Sequence, residues 1–222
     1  AKRGEAIRVF TGAPIPIGAD GGPDTIFMEE DCEVEGEVII FPDGIKRNSN
    51  LRYSGEDVKK GSVIVSAGKR LRAQDIGLIA SVGLNKVKVY KNLKVAIFST
   101  GDEIFEPGSK VPKGCVFDAN RFSIMGLSES LGCKITDLGI LPDRLSVISN
   151  AIAEASSKHD LLITSGGISA GEEDHVRAAV QSLGSLYFWR FAIKPGRPVA
   201  LGQIENTAFL GLPGNPVAAM IT

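Results

Sequence analysis

The chain is 222 residues long, with 25 basic and 26 acidic side chains and a formal net charge of −1. That balance argues against nucleic acid or an acidic membrane surface as an obligatory partner, and no run of about 18 apolar residues offers a spanning helix. An apolar share of 43% and a charged share of 23% suit a soluble globular protein, while three scattered cysteines, Cys32, Cys115 and Cys133, exclude a disulfide framework and fit a reducing, cytoplasmic setting.

Residues 1–52 are rich in Pro, Gly and short β-type runs. Ile7-Arg8-Val9-Phe10, Asp24-Thr25-Ile26-Phe27-Met28 and Val38-Ile39-Ile40-Phe41 read as strands between turns, part of a small β domain. Residues 53–92 read as a connecting segment or part of a small domain. A helix is predicted over 71–82, with Ile76, Ile79 and Ala80 near helical spacing, Asp75 early and Gly83 as the stop. Val87-Lys88-Val89-Tyr90 alternates like a short strand.

Residues 93–222 are regular. Strand 94–99 leads to helix 119–131, strand 134–139 to helix 144–157, and strand 160–165 to helix 173–183. The alternation predicts an α/β domain with a mostly parallel sheet flanked by helices. Phe122, Met125 and Leu131 are the expected core face of the first helix. The apolar runs 186–193, 199–202 and 207–211 have short links between them, which predicts an antiparallel edge. The chain stops at Thr222 inside another expected helix, so a fragment of a longer protein is expected.

The chemistry gathers at strand ends. Ser165-Gly166-Gly167-Ile168-Ser169-Ala170-Gly171 follows an apolar run and precedes a helix. Glycines there let backbone N–H groups approach an anion, although a plain βα turn has the same composition. Ser99-Thr100-Gly101-Asp102-Glu103 and Leu141-Pro142-Asp143 end two further strands, and Asp174 follows the glycine loop. In an open α/β sheet such turns meet at the carboxyl ends of the strands, where ligands bind. Three acids there, Glu103, Asp143 and Asp174, suggest magnesium beside a phosphate. Asp143 also reads as a helix cap and Asp174 as a first-turn acid. Neither His159 nor His175 sits in a nucleophile motif.

Seven segments in order carry a family likeness: Phe10-Thr11-Gly12-Ala13-Pro14-Ile15-Pro16, Arg52-Tyr53-Ser54-Gly55-Glu56-Asp57, Ser99-Thr100-Gly101-Asp102-Glu103, Asp118-Ala119-Asn120-Arg121, the Ser165 to Gly171 loop, Lys194-Pro195-Gly196-Arg197-Pro198 and Leu212-Pro213-Gly214-Asn215-Pro216. With these the chain resembles the molybdopterin molybdenumtransferase family, which includes bacterial MoeA and the E domain of gephyrin. The resemblance implies insertion of molybdate into adenylylated molybdopterin with release of AMP, with Mg2+ as the metal and a homodimer at full length. It implies that Glu103, Asp143, Asp174 and Lys194 are catalytic, the three acids also holding metal. It assigns substrate contacts to Thr11, Asp57, Thr100, Ser165, Gly166, Gly167, Ser169, Arg190, Arg197, Pro213 and Asn215. Arg190 departs from the lysine of the bacterial pattern. Turn, cap or solvated-surface roles are the alternatives for Thr11, Asp57, Lys194, Arg190 and Arg197. A catalytically silent pterin-binding or scaffold module of the gephyrin type is the alternative for the whole chain, since a fold does not dictate its chemistry.

Overall fold

In the computed structural model the described residues are 2, 4–17, 22–167, 174–190 and 198–222, with 188–190 and 198 described by backbone alone. The chain forms two compact units, Ala1–Val87 and Lys88–Thr222.

In the first unit, β1 (Glu33–Glu35) and β2 (Val38–Ile40) form an antiparallel hairpin, with Glu33 opposite Ile40 and Val34 opposite Ile39. Residues 7–10, 24–28 and 87–90 are not strands, contrary to the sequence expectation. Among the described residues β1 and β2 are the strands of this unit, and every position in both is exposed. Helix α1 (Ala73–Ser81) forms where the spacing placed it. Asp75 fastens its start, its Oδ2 accepting from the Arg72 N–H at 3.0 Å. Ile79 is buried, whereas Ile76 is 58% exposed.

The second unit is a three-layer α/β domain. Its sheet has the order β6 (Lys134–Leu141), β3 (Lys94–Thr100), β7 (Leu161–Ser165), β10 (Thr207–Leu212), β9 (Pro198–Ile204), β8 (Ser185–Arg190). The first four strands are parallel, and β9 and β8 add an antiparallel edge. This is the expected mixed sheet with a parallel core. A small parallel pair, β4 (Ile104–Phe105) with β5 (Val116–Phe117), stands apart from it.

Alternation along the strands decides the layers. Ala96, Phe98, Leu162 and Phe209 pack with Ile148 and Ile152 of α3 (Leu145–Ser156) and Val176 and Val180 of α4 (His175–Leu183). Val95, Ile97, Ile163 and Leu212 pack with Ile124 of α2 (Asn120–Ser130) and Ala219 of α5 (Pro216–Ile221). The expected face of α2 is corrected. Phe122 and Leu131 are exposed and Met125 is only partly buried, while Arg121, Ile124 and Ser128 turn inward. The hydrophobic period misled because a buried arginine takes one core position.

Among the described residues no helix is long and apolar enough to cross a membrane.

Candidate functional site

Register places four strand ends level with one another. Ser99 pairs with Ser165 and with Ile140, and Ser165 pairs with Leu212. The turns leaving β3, β6, β7 and β10 therefore share one rim.

Close glycine packing joins these turns. A Cβ on Gly166 would lie 2.6 Å from the Thr100 carbonyl oxygen, and one on Gly167 2.5 Å from Thr100 Cγ2 and 2.8 Å from Val176 Cγ2. Both glycines have positive φ, +85° and +64°. Only glycine combines that backbone with such an approach. A Cβ on Gly214 would touch Gly166 Cα at 3.8 Å, so the turns after β7 and β10 lie side by side.

Polar contacts complete the assembly. Asn120 Nδ2 donates to Ser165 Oγ at 2.7 Å and to the Gly214 carbonyl at 2.8 Å. Ser165 Oγ donates to the Pro213 carbonyl at 3.3 Å. Thr100 Oγ1 donates to Asp143 Oδ1 at 3.4 Å across neighbouring strand ends. Ser99 Oγ and Thr164 Oγ1, one residue inside the rim, are buried with no hydrogen-bond partner among the described residues.

The candidate acids take different positions. The Glu103 carboxylate folds back beside Gly101, where a Cβ would meet Oε2 at 2.7 Å. Asp143 is partly buried and bound to Thr100. It does not cap α3, whose cap position is Arg144 with no side-chain bond. Asp174 caps α4, its Oδ1 accepting from the Arg177 N–H at 2.8 Å. Among the described residues no three His, Cys, Asp or Glu side chains are placed to hold a metal ion. Asp143 places Oδ1 on Thr100 and Asp174 places Oδ1 on the start of α4; a metal held by Glu103, Asp143 and Asp174 remains a proposal.

Asn215 caps α5, accepting from the Ala218 N–H at 3.1 Å with Pro216 as the first helical residue. Arg190 ends β8 opposite Pro198. Ser169, Lys194 and Arg197 lie outside the described residues. Thr11 and Asp57 belong to the first unit. There Thr11 is exposed in a turn, and Asp57 pairs with Arg52 NH1 at 2.5 Å on the surface.

Sequence reasoning placed Asn120 and Arg121 at a helix start but missed what they do. Arg121 is 2% exposed, and its guanidinium meets Asp118, Glu106 and Asp137. Burial works against its charge, but the three carboxylates outweigh burial and raise its pKa above the ordinary value. The Asp118–Arg121 spacing, one helical turn, was a readable signal. Glu106 and Asp137 offered none.

Residues 96–222 match the family described as a probable molybdopterin binding domain. The chain belongs to the molybdopterin-binding domain family. Residues 1–83 match a second family, the MoeA N-terminal region covering its domains I and II. The chain is similar to a molybdopterin molybdenumtransferase of Haemophilus influenzae, with 45% identity over 98% of this chain and 53% of that protein. It is also similar to gephyrin of Dictyostelium discoideum, with 29% identity over 97% of this chain and 34% of that protein. Among solved structures, a molybdopterin biosynthesis MoeA protein of Pyrococcus horikoshii superposes with a TM-score of 0.75 and 30% identity, over 99% of this chain and 52% of that one. The chain spans about half the length of the molybdenumtransferase and MoeA relatives it matches.

Proposed function

We propose that this chain is the pterin-binding core of a molybdopterin molybdenumtransferase, which inserts molybdate into adenylylated molybdopterin and releases AMP. The observation that carries the reading is the fused rim. Gly166 and Gly167, after β7, close against Thr100 at the end of β3 without room for a Cβ, and Thr100 in turn bonds Asp143 after β6. Such backbone can approach a phosphate closely, and the family match supplies the pterin.

In this reading a water oxygen attacks one phosphorus of the adenylate's P–O–P bridge, the bridging P–O bond at that phosphorus breaks, and AMP leaves with its phosphate while the pterin keeps its own. Glu103 and Asp143 orient the attacking oxygen, and Thr100 and Ser165 fix the phosphate side. Lys194 and Arg197 neutralise phosphate or molybdate oxygens, Lys as a point charge and Arg as a two-pronged donor. Ser169, Arg190, Pro213 and Asn215 complete the substrate contacts. Magnesium belongs to the reading as a companion of the substrate's phosphates, since that ion keeps waters and takes few protein ligands. A homodimer and a cytoplasmic setting complete the reading; they rest on the family resemblance and the free cysteines.

Calorimetry with molybdopterin adenylate, alongside an assay of AMP release in the presence of molybdate, tests this. Binding with little turnover is expected of the 222-residue chain. No heat from the adenylate would refute the reading, and binding that is unchanged in both Asp174→Asn and Lys194→Ala would favour the scaffold alternative.

A further inference from the structure

We propose that Arg121 is a positioning residue for the rim, with its guanidinium holding in fixed relation the three segments that carry Glu103, Asn120 and Asp143. The inference rests on reading that rim as an anion-binding site.

Each branch of the guanidinium holds a different segment. Nε donates to Asp118 Oδ2 at 2.9 Å, and the Arg121 N–H donates to Asp118 Oδ1 at 3.2 Å, which fastens the start of α2 and so places Asn120. NH2 donates to both oxygens of Glu106 at 2.5 Å, three residues past Glu103. NH1 donates to Asp137 of β6, the strand that ends beside Asp143. The Phe122 ring closes over the cation with its centroid 4.9 Å away.

Stability alone is a poor reason for this cluster. Buried ion clusters are often matched or bettered by apolar residues of the same volume, because desolvation consumes the Coulomb gain. What apolar residues cannot supply is direction. Arginine offers five donors in a rigid fork, and lysine offers a single point charge. Three partners on three segments use that fork fully. Two of its lever arms are short: Asn120 lies two positions from Asp118 and Glu103 three from Glu106, while Asp143 lies six from Asp137.

The test compares Arg121→Lys with Ile152→Val. Ile152 is fully buried in the core against α4 and makes no rim contact, so its truncation destabilises without touching the rim. Two readouts are taken on the 222-residue chain: amide hydrogen exchange by segment, and an AMP titration. R121K should speed exchange about tenfold over I152V in 101–106, 118–121 and 141–144 together, and should weaken AMP binding about tenfold. Exchange in those segments no faster than in I152V would overturn the inference. If the unaltered chain binds no AMP, the anion-site reading fails while the exchange comparison still decides the role of Arg121. Should R121K fail to fold, Glu106→Gln carries the same test, because Glu106 is half exposed and one bond set is lost. Faster exchange confined to 101–106 supports the clamp, and unchanged exchange there refutes it.

Discussion

Asn120 Nδ2 lies 2.7 Å from Ser165 Oγ, a bond between residues 45 positions apart that ties the start of α2 to the end of β7. The same nitrogen reaches the Gly214 carbonyl. Asn120→Ala should cost about 1–3 kcal/mol in urea unfolding, because it leaves acceptors at the rim without their donor. Asn120→Asp should cost more at neutral pH, where a carboxylate would face a carbonyl oxygen. It should recover in part as the pH falls through the ordinary carboxyl range near ~4. An alanine variant with an unchanged midpoint would show that the tie contributes nothing.

The glycine pair makes a sharper prediction, because its two clashes differ in kind. Gly166→Ala meets backbone, the Thr100 carbonyl, so no side-chain change can relieve it. Gly167→Ala meets the Thr100 and Val176 methyl groups. Each single variant should lose about 1–3 kcal/mol from overpacking alone, with backbone strain added. Adding Thr100→Ser removes the Cγ2 methyl, so the double variant with Gly167→Ala should lose less than the sum, while the double variant with Gly166→Ala should be additive. Thermal unfolding of the three single variants and the two double variants measures the coupling.

The two buried hydroxyls without partners predict the opposite sign. Thr164→Val keeps the shape and replaces an unsatisfied oxygen with a methyl group, so it should stabilise the second unit by about 1 kcal/mol. A destabilised variant would mean that Thr164 Oγ1 is satisfied in solution.

Periodicity made the second unit legible. Ala96 and Phe98 alternate with Val95 and Ile97, and each set found its own helical layer. The rim was legible because a parallel sheet sends all its strand ends to one side. Two things were not. The runs at 7–10 and 24–28 carry β-type residues but form no strand ladder among the described residues, where 24–26 make only isolated hydrogen bonds to 48–50, since a strand needs a ladder partner that local sequence does not supply. The Arg121 cluster stayed hidden because Glu106 and Asp137 lie 15 and 16 residues from it, and only the turn of the chain brings them together.

The first unit contains an acid-sensitive link. Lys69 Nζ lies 2.6 Å from Asp75 Oδ1, and the Arg72 N–H donates to Oδ2. Lys69 foremost, then the Arg72 backbone, lower the Asp75 pKa from 3.8 to about 2. A depressed folded-state value means that the contribution is complete above pH 3.8 and is lost as the pH falls through the folded value near 2. Unfolding midpoints followed from pH 6 to pH 2 should decline less steeply in Asp75→Asn than in the unaltered chain, because asparagine has no proton to bind. Parallel profiles would remove Asp75 from the acid response.

Charge and structure can be separated at Glu103 and Asp174. The Glu103 side chain is exposed and makes no hydrogen bond among the described residues, so Glu103→Gln should leave stability within about 0.5 kcal/mol. If Glu103 orients the attacking oxygen, the same variant should sharply reduce AMP release from molybdopterin adenylate. Asp174 needs two substitutions. Asp174→Ala removes the α4 cap and should cost about 0.5–2 kcal/mol, whereas Asp174→Asn keeps an oxygen for the Arg177 N–H while removing the charge. Weakened adenylate binding in D174N at unchanged stability would assign the charge to the ligand. Binding equal to that of the unaltered chain in D174N, with D174A merely less stable, would remove the Asp174 charge from ligand binding, and the acids of the rim would reduce to Glu103 and Asp143.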